Sequence, residues 1–294
     1  MTPIHTVGER PLPVVLPPAR DELLSSWLRR HAVFYGITEP MFLSWLGLGA
    51  RNLRCLDGRL SLGQLARIAE KFRCDPKAIL EMTNALLPAE SAPLVQSGRM
   101  GQFCSLCWDG HLAADAQGVV MKSWGEGWRV TCPVCGSALS EGDRPRRSDH
   151  TVRDSSPFSN HWDTARTGED IVNRQLRGEA TQLASPVAMM RLLLILRHIQ
   201  VDASSGLYRK SWLLNEIVPG FDTEALRVSP SISKGATAFV PLHLRIALLA
   251  GLAAAAKDAI GAVRRLRPAC RVFYLRRFDE LAAAALGESG DFSI

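Results

Sequence analysis

The sequence predicts a mostly α-helical protein: an N-terminal helix-turn-helix-like domain, a small cysteine-rich β-hairpin module and a C-terminal helical domain. Three observations carry this. Apolar residues recur at helical spacing in separate stretches on both sides of the middle of the chain. Capping residues stand at the head of several of those stretches. Four of the seven cysteines fall into two C-x-x-C pairs with a glycine-broken apolar segment between them.

Bulk properties agree. A chain of 294 residues has room for two or three domains of about 100–150 residues each. With 47% hydrophobic and 22% charged residues it can bury a core. The net charge of +6 and pI of about 9.1 favour a polyanionic partner, although many basic proteins bind none. Met1–Arg20 holds three charges and five prolines, with no secretory apolar core. The longest apolar run, Ile246–Ala256, has 11 residues against the ~20 that span a bilayer. No membrane association is expected, and the cytoplasm is the expected location.

Residues 1–20 form a Pro-rich arm, extended and either laid on a neighbour or loose. The helical domain covers 21–98. Asp21 opens an amphipathic helix with Leu23, Leu24, Trp27, Leu28, Ala32 and Tyr35 on its apolar face and Gly36 as its stop. Met41, Phe42, Trp45 and Leu46 anchor a short segment after it. Ser61 and Gln64 form an S-x-x-Q capping box ahead of a stripe of Leu62, Leu65, Ala66, Ala69 and Phe72. After the turn at Arg73–Cys74, Asp75 caps a second helix with Pro76 at its first position, and Ile79, Leu80 and Leu87 continue inward. Two short helices on a tight turn outline a helix-turn-helix, and equally an ordinary helical hairpin; Lys77 is the candidate DNA-facing cation on the second.

After a Pro/Ser/Gly-rich linker over 88–100, the cysteine module occupies 99–140. Cys104 and Cys107, then Cys132 and Cys135, each place two thiolates on one knuckle, and two knuckles complete the tetrahedral shell that Zn²⁺ takes. Val119–Trp124 and Trp128–Thr131 flank Gly125-Glu126-Gly127, which reads as a β-hairpin and makes the module a zinc ribbon. Four thiolates leave no open position for water, so one structural ion is expected. Cys55, Cys74 and Cys270 stand alone and read as small core residues.

Residues 141–167 read as a polar, exposed connector in which Arg144, Arg146 and Arg147 cluster. The C-terminal helical domain spans 168–294. Ser185 caps a helix with Pro186 at its first position and an apolar run through Val187–Ile199. Pro241 opens a long Ala-rich helix running to about Arg267, and a last helix covers Val272–Leu286. Arg264, Arg265, Arg267 and Arg271, with Arg276 and Arg277, crowd one short stretch with Phe273 and Tyr274 interleaved. That pattern suits phosphate contact and base stacking, or else a solvated helix face whose aromatics point inward.

Catalytic motifs are missing: no P-loop, no G-x-S-x-G, no H-E-x-x-H, and no H-x-E to accompany Cys132-Pro-Val-Cys135. The carboxylates Asp143, Asp149, Asp154, Asp163 and Asp170 would serve a metal-dependent nuclease, but they read more simply as solvated charges.

Asp21–Ile37 (DELLSSWLRRHAVFYGI) resembles the opening motif of the TniQ family, related to TnsD. FCSLCWDG and SWGEGWRVTCPVCGSAL are similar to its cysteine pair, Ser-Trp and Val-x-Cys-Pro sequence, and Pro241-LHLRIALLAGL is a weaker echo. Cys135 stands where many members have His, which leaves a site that zinc still tolerates. The resemblance implies a bacterial, nucleoid-associated transposition accessory protein, non-catalytic, linking target DNA recognition to an AAA+ ATPase and transposase. Its implied partners are DNA, directly or through another protein, that ATPase, an RNA-guided complex in some members, and a second copy of the chain. A stand-alone transcriptional regulator needs the same helices and no ATPase.

Overall fold

In a computed structural model that describes residues 10–95, 101–113, 118–142, 151–201, 208–228 and 240–287, the chain divides into two units. One comprises Met1–Leu87 with Ser105–Trp124, the other Pro88–Cys104 with Gly125–Ile294.

The first unit holds α1 (Leu24–Phe34), α2 (Glu39–Leu46), α3 (Leu62–Phe72), α4 (Pro76–Glu81) and α5 (Ser105–Ala113). Asp21 does not open α1. It sits at φ 61°, its carbonyl accepts the Lys122 N–H at 2.7 Å and its carboxylate accepts the Ser123 N–H at 3.1 Å. Glu22 and Leu23 stay extended because they pair with the returning segment, through a Glu22–Met121 bridge and the Leu23 N–H on Val120 O at 2.9 Å. Glu22 is buried yet satisfied: Ser26 Oγ and Ala19 N–H donate to it, and Arg30 meets it at 2.6 Å.

The Pro-rich arm is laid down on α1 and α3. Leu12 is buried and its N–H reaches Lys71 O; the Tyr35 hydroxyl donates to Val14 O and accepts from Val14 N–H. The Leu16 N–H donates to His31 Nε2 at 2.9 Å, and Trp27 Nε1–H donates to Leu16 O at 2.8 Å. Under the arm, Leu24, Trp27, Leu28, Phe42, Leu46, Leu53, Ile68, Phe72 and Ile79 form the core.

The capping box at Ser61 and Gln64 forms on both sides, and the Asp75 side chain accepts the Lys77 N–H as cap of α4. The α3 stripe is shifted from the expected one. Ile68 is its buried centre, while Leu62 and Ala66 face solvent because the rest of the core lies toward the C-terminal half of the helix. Met41 is likewise exposed, and Leu43 takes the inward position on α2. Cys55 is exposed and Cys74 half-buried; Cys270 alone of the three is the buried core residue the sequence suggested.

The second unit is organised on α10 (Leu242–Lys257), after α6 (Val152–Ser155), α7 (Trp162–Leu176), α8 (Pro186–Leu193) and α9 (Phe221–Val228) and before α11 (Ala259–Leu266) and α12 (Leu275–Leu286). α10 is buried along nearly its whole length and packs on α7 and α8, with α12 on α8. The approach to α7 is close: a Cβ on Gly168 would stand 2.1 Å from Leu249 O, so only glycine fits there.

Three expectations change in this unit. The stretch read as an exposed connector contributes buried Val152, Trp162 and Ala165, and α7 begins at Trp162 rather than near Gly168. The apolar run after Ser185 does not stay helical. α8 ends at Leu193, and Leu196–Val201 becomes β3, antiparallel to β4 (Tyr208–Trp212), because the strand pairing supplies backbone partners that a longer helix would have supplied internally. The long helix after Pro241 is two helices, bent by 114° at Asp258, whose side chain accepts the Gly261 N–H at 2.9 Å and caps α11. Among the described residues no single helix is long and apolar enough to cross a membrane.

Candidate metal centre

The cysteines arrive at the site by two different local structures. β1 (Gln102–Phe103) delivers Cys104, and α5 starts one residue later, so Cys107 lies on that helix's first turn. The second pair sits on a tight turn. Gly136 N–H donates to Cys132 O at 2.8 Å, Cys132 N–H donates to Ser137 O at 2.8 Å, and Gly136 takes φ 77°, which glycine adopts without cost. β2 (Ser140–Glu141) then pairs antiparallel with β1, setting Phe103 opposite Ser140.

The four sulfur atoms all lie within 4.8 Å of one another, with Cys104 Sγ and Cys135 Sγ at 3.4 Å. Zinc–sulfur bonds of about 2.3 Å in a tetrahedron give sulfur–sulfur edges of about 3.8 Å, which this group brackets. Disulfide bonding would need about 2.05 Å, and all seven cysteines are free thiols. The group can therefore hold a metal ion. Cys104 and Cys132 are buried, Cys107 is half-buried and Cys135 exposed, so an ion there would sit at the edge of the fold.

The expected hairpin across Gly125–Gly127 is not formed. Lys122–Gly125 is a 3-10 turn, Met121 bridges to Glu22, Glu126 bridges to Val95 and Thr131 bridges to Ala138. Met121 and Glu126 pair with partners distant in sequence, Thr131 pairs with the turn after Cys132, and the two-stranded element of the module is β1 with β2.

A buried polar network in the second unit holds β1 and the segment before Cys132. Arg245, fully buried on α10, donates to Gln102 Oε1, to Arg129 O at 2.8 Å and to Val240 O at 3.0 Å. Burial draws its pKa down to about 10, against the pull of Glu141 and Glu169. Arg129 pairs with Glu126 and meets Glu169 at 3.5 Å, and Glu169 accepts from Thr131 Oγ1 at 2.8 Å. Burial pushes the Glu169 carboxyl above its ordinary value, only partly opposed by Arg129 and Thr131. Burial acts to raise Glu141 too, but its hydrogen bond to His243 at 2.9 Å and the imidazole's charge outweigh it, and Glu141 lies below the usual range. None of these residues carries a sequence motif; an arginine inside an otherwise apolar helix was the visible signal.

The basic candidates fall out unevenly. Lys77 is exposed on α4 of the first unit. Arg144, Arg146 and Arg147 lie outside the described residues, as do Asp143 and Asp149. Arg264, Arg265 and Arg271 are exposed in the second unit, whereas Arg267 is held by Asp279 at 2.9 and 3.2 Å. Asp154 accepts from Thr151 Oγ1, and Asp163 and Asp170 are exposed on α7. Among the described residues no three carboxylates gather as the cysteines do.

The TniQ family model matches residues 13–139. That stretch is a TniQ domain. It takes in the end of the proline arm, α1 to α5 and all four cysteines. α6 to α12 lie beyond it. No curated protein matches the chain, and no solved structure does.

Proposed function

We propose that the protein is a non-catalytic transposition adaptor that couples target DNA recognition to an AAA+ ATPase and its transposase. The carrying observation is that the TniQ match spans the end of the arm, the helices α1 to α5 and the whole cysteine group as one continuous stretch. The metal is Zn²⁺, held by Cys104, Cys107, Cys132 and Cys135. Four sulfur ligands suit zinc and leave no coordination position for substrate or water, so its role is structural. Free thiolates of this kind persist in a reducing compartment, which supports a cytoplasmic setting.

Capture of a cognate AAA+ ATPase, together with an electrophoretic shift of target DNA in its presence, is the expected result. Failure of both removes the reading. A transcriptional regulator would shift DNA through α3 and α4 without any ATPase. That reading draws little support from α4, which is six residues or about 9 Å long and exposes Asp75 and Glu81 beside Lys77.

A further inference from the structure

The turn from α11 to α12 lies outside the TniQ domain and combines two features that usually occur apart. From Ala259 to Arg277 the sequence has six arginines and no carboxylate. At the middle of that stretch Val272 and Phe273 are 82% and 80% exposed. The sequence left open whether these aromatics turn inward. Phe273 does not, while the half-buried Tyr274 braces it edge-on at 5.1 Å.

The turn is firmly held. Cys270 and Phe278 are buried on either side of it, and the two-pronged Arg267–Asp279 pair ties the end of α11 to α12. Arg267 is thereby a strut. Arg276 is engaged by Glu280 at 3.0 Å, but both are well exposed and water screens the pair. Arg264, Arg265, Arg271 and Arg277 are exposed and lie within ion-pair distance of no carboxylate among the described residues.

We infer that this turn is a duplex-DNA-binding surface, on which Arg264, Arg265, Arg271 and Arg277 contact phosphates and Val272–Phe273 pack as an apolar wedge against a base step. The inference rests on the DNA-associated reading above and names the surface that serves it. Charge complementarity selects the ligand: a carboxylate-free arginine stretch fits a polyanion. A rigid, exposed Phe beside Val is the side-chain chemistry that unstacks a base step from the minor groove while arginines hold the backbone. An apolar protein partner would leave the four arginines unanswered.

The test uses the full-length protein and duplexes carrying 2-aminopurine, with binding measured over a range of salt. Each Arg→Ala change at 264, 265, 271 or 277 is expected to lower the slope of log affinity against log salt by about 0.9. Phe273→Ala is expected to weaken binding about 5- to 100-fold at an unchanged slope and to abolish the 2-aminopurine fluorescence rise, which Phe273→Trp restores. All these side chains are exposed, so melting temperatures should match the parent. Variants that bind like the parent, or a parent that binds no duplex, would overturn the inference. So would Phe273→Ala losing the ATPase while keeping DNA. ATPase capture is scored on the same samples: DNA effects as expected with no capture by any sample retain this surface and remove the adaptor reading, and capture with unaltered DNA binding does the reverse.

Discussion

At the scale of single residues, His31 shows how one buried side chain can set a solution property. It is fully buried between α1 and the proline arm, edge-on to Trp27 and Phe72. Nδ1 donates to Trp27 O and Nε2 accepts from Leu16 N–H, so the neutral ring fits and the charged one has no acceptor for its second proton. Burial holds its pKa below the ordinary 6.5, with Arg30 adding to the effect and the Trp27 carbonyl opposing it. As pH falls the unfolded chain takes up this proton first. The stability owed to neutral His31 is therefore complete above pH 6.5 and is lost progressively below it. Thermal melts from about pH 7 to about pH 5 should show a falling Tm that His31→Gln flattens; parallel profiles for the two proteins would assign the loss elsewhere.

At the scale of elements, Arg245 carries the clearest prediction. Removing it takes the donor from Gln102 Oε1, Arg129 O and Val240 O inside the core, so Arg245→Ala should cost about 3 kcal/mol, the scale of buried acceptors left without their donor. Arg245→Lys, which keeps charge but reaches fewer acceptors, should lose less. Denaturant unfolding decides this, and equal stability of Arg245→Ala and the parent would refute it. The elements that the sequence made legible were those fixed by neighbours in sequence: the Ser61–Gln64 box, Asp75 with Pro76, and Ser185 with Pro186 all cap helices as read. The elements that escaped depend on partners far along the chain. The Val119–Trp124 segment looks like half of a hairpin until residues 21–23 claim its backbone. Leu196–Val201 follows the helix before it with no Gly or Pro to mark a break, and its pairing with Tyr208–Trp212 makes it a strand. Asp258 breaks the long helix with a single cap that sits inside an otherwise unbroken helical pattern.

At the scale of the whole molecule, the metal centre was the most legible feature, because ligand spacing is written locally while the fold has only to bring two knuckles together. The structure does that to within 4.8 Å for all four sulfurs. What the spacing did not reveal is the frame around the site. One pair rides on a strand-to-helix junction, the other on a glycine turn, and β1 with β2 closes the module where a central hairpin was expected. A centre closed by four thiolates agrees with an adaptor, which needs a fixed shape more than an open reactive position. Its ligands must lose protons to bind, so its contribution to folding should weaken in acid and vanish with chelation.

The most direct measurement is metal content read together with stability. Purified protein should carry one zinc per chain by elemental analysis. Cys132→Ser should lower both the zinc content and the Tm sharply, since structural zinc contributes on the order of 10 kcal/mol in small domains. Protein that is free of metal yet melts like the zinc-loaded form would contradict the account at its base.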